Sequence, residues 1–251
     1  MKEFRMRIIW NVFLLVPLMT LAQEIDSRGQ DNVFAFYEYK IKDGIGMKGA
    51  FNAGYKRDLE WHEAQGDDWS WIGWYVINGE RRGRFIDATP DHSWVDFDNW
   101  KINGALNGKL NNIHWIPYVE TPSGNYRMVL SEYSNSKGGR YKSNILQVHN
   151  IEVSIPKEGT FNEFLMSFKR YLEFFLRDIP FVWMKTVSGD GVQNYQLYVC
   201  IDRMEQMERV VNIFTQKHMP DKLWRLYTES VTLNQSEMWK YMPDLSLYPE
   251  D

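Results

Sequence analysis

Apolar residues in the stretch 47–64 fall at Met47, Phe51, Tyr55 and Leu59, with His62 one step further on. Steps of four and three predict a helix with a single buried stripe. Ahead of it, "VFAFYEYKIKDG" (33–44) is rich in aromatic and β-branched residues and ends on Asp-Gly, which predicts a strand. After it, "WSWIGWYVINGERRGRFIDAT" (69–89) predicts a strand, a turn at Asn78-Gly79-Glu80 and a second strand. "PDHSWVDFDNW" (90–100) predicts a short helix that starts at Pro90 or Asp91.

The second half repeats the order. "NILQVHNIEVSIP" (144–156) predicts a strand, and Thr160 with Glu163 forms a capping-box pattern ahead of a stripe of Phe161, Phe164, Phe168, Leu172 and Phe175. "FVWMKTVSGDGVQNYQLYVCID" (181–202) predicts strand, turn, strand, and "RMEQMERVVNIFTQ" (203–216) a helix. The phrase "YKRDLEW" (55–61) returns as "FKRYLEF" (168–174), at a spacing of 168 − 55 = 113. The pattern is β-α-β-β-α, twice. A closing strand is expected from 114–134 in the first half, with an extra hairpin strand, and from 222–233 in the second. "SNSKGGRYKSN" (134–144) predicts the linker.

The expected fold class is α+β: two tandem ferredoxin-like β-α-β-β-α-β units, 23–133 and 145–251, whose bare sheet faces meet as an intramolecular pseudo-dimer. In element order and duplication, over roughly 33–233, the chain resembles the dimeric α/β-barrel superfamily, which includes NIPSNAP-like and antibiotic-biosynthesis-monooxygenase-like proteins. The resemblance implies a cavity between two facing sheets. Members use it for cofactor-free oxygenation, haem chemistry, isomerisation of small cyclic substrates, or binding alone. No catalytic motif of these groups maps onto the chain.

Residues 1–22 carry a basic start, an apolar run and small residues at Thr20 and Ala22, which predicts a secretory signal peptide. Export to the periplasm or beyond is expected, with no stable membrane insertion after its removal. Losing Lys2, Arg5, Arg7 and Glu3 takes the net charge from −4 to −6. That balance argues against a nucleic-acid partner. Cys200 is the single cysteine, so no internal disulfide forms. Aromatic residues make up 16% of the chain, with 11 Trp; a core built of large residues accounts for most of them, and a surface on which something stacks is the other reading.

Strand alternation turns Tyr37, Tyr39 and Ile41 toward the helices and Phe34, Phe36, Glu38 and Lys40 toward the cavity, with Glu152 matching Glu38 in the second unit. Glu38 and Glu152 are therefore candidate acid–base residues, as is His62, whose plainer reading is a hydrogen-bonded core histidine. Phe36, Trp71, Tyr75, Arg82 and Arg84 are candidate ligand-binding residues, the aromatics for stacking and the arginines for a carboxylate. Asp87, Asp91 and His92 are near one another, but their spacing fits no standard metal site, so neither metal nor other cofactor is expected. The chain has no phosphate-cradling glycine loop, no Ser/His/Asp motif and no CxxC. The function expected is binding of a small planar, cyclic or sugar-like ligand in an aromatic-lined cavity between the sheets. Cofactor-free oxygenation or isomerisation on the same fold is the enzymatic alternative, and a structural role in an envelope complex the third.

Overall fold

The computed structural model describes residues 32–120, 122–136, 141–189 and 194–249. The apolar run of 1–22 lies outside these, as do residues 137–140 of the expected linker. Eight strands form: β1 (Val33–Tyr39), β2 (Ile72–Asn78), β3 (Phe85–His92), β4 (Ser123–Val129), β5 (Ile145–Val153), β6 (Phe181–Gly189), β7 (Asn194–Ile201) and β8 (Val231–Tyr241). The helices are α1 (Met47–Ala64), α2 (Trp94–Asn99), α3 (Gly104–His114), α4 (Glu158–Leu176), α5 (Met207–Val210) and α6 (Asp221–Ser230).

All neighbouring strands are antiparallel, and they close into one barrel in the order β1-β3-β2-β8-β5-β7-β6-β4. The first four strands form one arc, β4-β1-β3-β2, and the last four form the other, β8-β5-β7-β6. The strand order is thus the same in both arcs. Junctions β2–β8 and β4–β6 join them.

Alternation decides which side chains fill the barrel. Phe34, Phe36, Trp74, Ile86 and Ala88 from one arc pack with Leu146, Val148, Val182, Met184, Tyr198 and Trp239 from the other. Trp74 and Trp239 lie 6.0 Å apart, and Phe36 stacks on Tyr198 at 6.2 Å. Burying each such side chain contributes ~1.5–3 kcal/mol. The space expected to be a ligand cavity between the sheets is therefore a packed core. The opposite faces lie under the helices. Tyr39, Tyr75 and Phe85 meet Phe51, Tyr55 and Leu59 of α1, while Ile151, Trp183 and Leu197 meet Phe164, Phe168 and Leu172 of α4.

Several elements differ from the sequence pattern. Residues 222–233, expected as a strand, are mostly α6, because Leu223, Leu226 and Ser230 recur at helical spacing and are buried on one side. The closing strand β8 begins only at Val231. Strand β3 runs through Pro90 to His92, and the short helix starts later, at Trp94. Ser93 caps it: its hydroxyl accepts from Asp96 N at 3.3 Å, and Asp96 accepts from Ser93 N at 2.6 Å. The stretch 114–134 supplies one strand and no extra hairpin, and α3 precedes it, capped by Asn103, which accepts from Leu106 N at 3.1 Å. Helix α3 lies hard against α1 at Gly54, where a β-carbon would stand 1.9 Å from His114 O. That close approach brings Trp115 over the first sheet. The region 203–216 holds only a 3₁₀ turn and the four-residue α5.

Candidate functional site

A cavity of about 430 Å³ opens between the helix-facing side of the first arc and helices α1–α3. The sheet supplies Tyr37, Tyr39, Asp87 and Tyr126. Helix α1 supplies Tyr55, Asp58, Leu59 and His62, all from its buried stripe. Trp69, Trp71, Phe97 and Trp100 form one wall, and Asn107, Asn111 and Trp115 of the α3 region another, with Pro122 at the rim. Nine of these residues are Tyr, Trp or Phe, and none is Lys or Arg. Gly124 makes room on β4: a β-carbon there would stand 3.0 Å from the Tyr37 ring.

The end of α1 sets the first functional pair. The chain leaves the helix through Gly66, at a φ of +68°, and Asp67 N donates to His62 O at 3.0 Å. This fold-back seats the Asp67 carboxylate against His62 Nδ1 at 2.7 Å. Asp67 also accepts from Trp71 Nε1 at 3.0 Å, Trp100 Nε1 at 3.2 Å and the backbone N–H of Trp69 at 3.2 Å. Burial disfavours its charge, but these donors outweigh burial and hold Asp67 below the usual carboxylate range. An ionised Asp67 makes Nδ1–H the donor. His62 Nε2 then faces Asp58 Oδ2 at 3.9 Å. Rings of Trp71 and Trp100 lie 5.1 and 6.0 Å from the imidazole.

Two further carboxylates meet the cavity with the opposite electrostatics. Asp87 is 2% exposed, and its Oδ2 accepts from Tyr55 at 2.6 Å and Tyr39 at 3.2 Å. Its Oδ1 has no hydrogen-bond partner. Burial pushes its pKa up to about 7, the tyrosine hydroxyls opposing and Asp58 reinforcing the rise. Asp58 is pushed up to about 6, also by burial, with the His62 ring and the Trp115 indole nearby offsetting it only in part. Its Oδ1 likewise lacks a partner. Tyr39 and Tyr55 are raised well above the ordinary phenol value, by burial first and then by the Asp87 charge, so they stay protonated donors. The wall can therefore take up a proton or a positive charge, while the aromatic faces hold a flat group.

Of the residues singled out in sequence, His62, Trp71 and Asp87 line this cavity together. Phe36 stands in the barrel core beneath the Arg127 guanidinium, 4.0 Å from its ring centre. Tyr75 is bonded to Asn52 and lies under Lys48. Glu38 does point toward the barrel mouth, but Arg81 and Arg84 both pair with it, and Arg81 also grips Glu237 at 2.7–3.2 Å. This knot ties β1 and the β2–β3 turn to β8. Arg82 and Glu152 are exposed, so Glu38 and Glu152 do not share a pocket. Asp91 is exposed at a φ of +61°, and His92 binds Thr89 Oγ1 and lies tilted against the Trp69 ring at 4.0 Å, so neither converges with Asp87. Among the described residues no cluster of three or more His, Cys, Asp or Glu is arranged to hold a metal ion. Haem fits the cavity poorly: both His62 nitrogens already face carboxylates, and no Lys or Arg lines the walls to meet propionates.

Asp58, Asp67, Trp100 and the α3 asparagines were not singled out in sequence. Asp58 carried a readable signal: it lies three residues after Tyr55 and four before His62, on the buried stripe. Asp67 and Trp100 reach the site through loops, and no periodicity marks them.

No protein-family model matches the chain, and no curated protein matches it. Solved structures do. An anthrone oxidase-like protein superposes with a TM-score of 0.56 at 9% identity, over 88% of this chain and 94% of its own. A candidate monooxygenase from Lactobacillus acidophilus NCFM gives 0.57 at 7% identity, over 87% and 97%. Chlorite dismutase from Candidatus Nitrospira defluvii, in complex with imidazole, gives 0.52 at 7%, over 84% and 92%. These proteins belong to the dimeric α/β-barrel, ferredoxin-like superfamily, and this chain has their fold.

Proposed function

We propose that the chain binds a small, planar or cyclic organic ligand in the cavity between the first arc and helices α1–α3. One observation carries this reading: a cavity of about 430 Å³, walled by nine aromatic side chains, has its polar groups gathered on His62, Asp58 and Asp87. Pockets of ~300–1,000 Å³ with a few convergent polar groups suit ligands of this size. The four tryptophans of its walls make the test direct. Titrating the protein with a panel of neutral quinols and polyphenols is expected to quench tryptophan fluorescence at micromolar concentrations, and Trp100→Ala and Trp71→Ala are expected to abolish the response. A panel that gives no response, or one unchanged in both variants, would place binding elsewhere.

A second reading, cofactor-free oxygenation or isomerisation, is favoured by the His62–Asp67 pair. An acceptor nitrogen oriented by a buried carboxylate is the arrangement of a general base. It would lift a proton from a bound substrate at Nε2, with Asp67 steadying the imidazolium. Oxygen uptake or isomer formation with quinols, lost in His62→Gln while fluorescence quenching persists, separates catalysis from binding.

Two further parts of the proposal concern the whole chain. The repeated strand order supports two tandem ferredoxin-like units, 23–133 and 145–251, that face each other as an intramolecular pseudo-dimer. The apolar run within 1–22 supports export to the periplasm or outside the cell, with cleavage after Ala22. Mass spectrometry of the mature protein, expected to begin at Gln23, tests that step. No helix among the described residues is long and apolar enough to cross a membrane.

A further inference from the structure

We infer that the ligand of this cavity is an organic cation, an ammonium compound carrying a flat or compact apolar group. The inference rests on the cavity reading above and names the class of molecule it admits. Asp87 is 2% and Asp58 5% exposed, and each presents an oxygen without a hydrogen-bond partner. A buried carboxylate oxygen left unpaired is costly, and proteins ordinarily meet it with Arg, Lys or a full set of donors. Here the lining contains no Lys or Arg, and the one titratable base, His62, already faces Asp67 at 2.7 Å. The two carboxylates thus stand beside the cavity without a cation of the chain to balance them, and a bound cation would supply that charge.

The remaining walls suit such a partner. Trp69 and Trp100 stack at 5.1 Å, Trp71 lies 6.0 Å from Trp100, and Trp115 faces them from the α3 side. Aromatic faces attract a cation through their ring quadrupoles, most strongly for Trp and for desolvated cations. An anionic ligand would instead be set against two carboxylates with no opposing cation. A neutral ligand could offer a hydroxyl donor to Asp87 and Asp58 but no opposite charge.

Three matched probes decide this: 4-(trimethylammonio)benzyl alcohol, its neutral carbon isostere 4-tert-butylbenzyl alcohol, and the anion 4-(hydroxymethyl)benzoate. Each is titrated at pH 8 into the full chain and followed by tryptophan fluorescence. The ammonium compound is expected to bind at least tenfold more tightly than the isostere, and the anion most weakly. Asp87→Asn and Asp58→Asn are each expected to reduce the ratio of the isostere's Kd to the ammonium compound's Kd at least threefold. Should one variant fail to fold, the other supplies the same comparison. Equal or tighter binding of the isostere or the anion overturns the inference and leaves the cavity reading intact. Failure of all three probes at millimolar concentration also overturns it, and the neutral quinol panel then judges the cavity reading by itself.

Discussion

The two arcs of the barrel have the same strand order, yet the layers beneath their helices are made of different stuff. Under α4 the helix contact is made by apolar side chains: Phe164, Phe168 and Leu172 are fully buried against Trp183 and Leu197. Under α1 the residues 113 positions earlier begin the same way, as Phe51, Tyr55 and Leu59, and then diverge. Where α4 has Tyr171 and Phe175, α1 has Asp58 and His62. Those two exchanges, together with Asp87 on β3, turn a packed layer into a cavity. The second layer holds the barrel together. The first gives up stability for a place where charge and a flat ligand can be held.

Large-to-small substitution breaks the comparison most severely. Phe168→Ala is expected to cost ~3–5 kcal/mol in urea denaturation, since nothing beside it can collapse into the void. Tyr55→Phe, at the matching position of α1, removes only a hydrogen bond to Asp87 and should cost ~1–2 kcal/mol. Equal losses would mean that the first layer is no looser than the second.

The pH dependence of stability should have opposite signs in the two layers. Asp87 is raised to about 7 in the folded chain, against an ordinary value of 3.8, so the folded state binds the extra proton between these limits. Its contribution is fully present below about pH 4 and is lost as pH rises through about 7. Asp87→Asn should therefore gain ~2–4 kcal/mol at pH 8 and little at pH 4. His149, under the second arc, runs the other way. Burial depresses it to about 4, against a weak opposing bond from Asn234, and it packs on Phe214 at 4.8 Å. The stability it preserves is present above about pH 6.5 and lost as pH falls toward 4, so His149→Phe should lessen acid destabilisation by ~1–3 kcal/mol. Melting curves of the three proteins from pH 4 to 8 check both signs. The smallest effect is expected at Glu152, exposed on β5, where Glu152→Gln should change stability by less than ~0.5 kcal/mol.

Much of the architecture was legible because it depends on period alone. The α1 and α4 stripes, the inward turn of Phe34 and Phe36 and the outward turn of Tyr37 and Tyr39 all follow from steps of 3.6 and 2. Helix α6 was missed because β-branched Val231 and Thr232, which follow its last residue and open β8, made the whole stretch look extended. The place of the cavity was missed for another reason. Alternation told which face Glu38 takes, but not that Trp74, Trp239 and Tyr198 are large enough to fill the barrel. Volume is a property of the closed structure. Nor could the sequence show that Glu38 meets Arg81 and Arg84 while Asp67 folds back onto His62, since both depend on turns.

A crystal structure of the chain with the most tightly binding probe tests the central claim most directly. The account predicts density in the first layer, flat against Trp71 and Trp100 and within reach of Asp87, with the barrel core and the α4 layer unchanged. Density between the two arcs, or against α4 and α6 with the first layer empty, would contradict it.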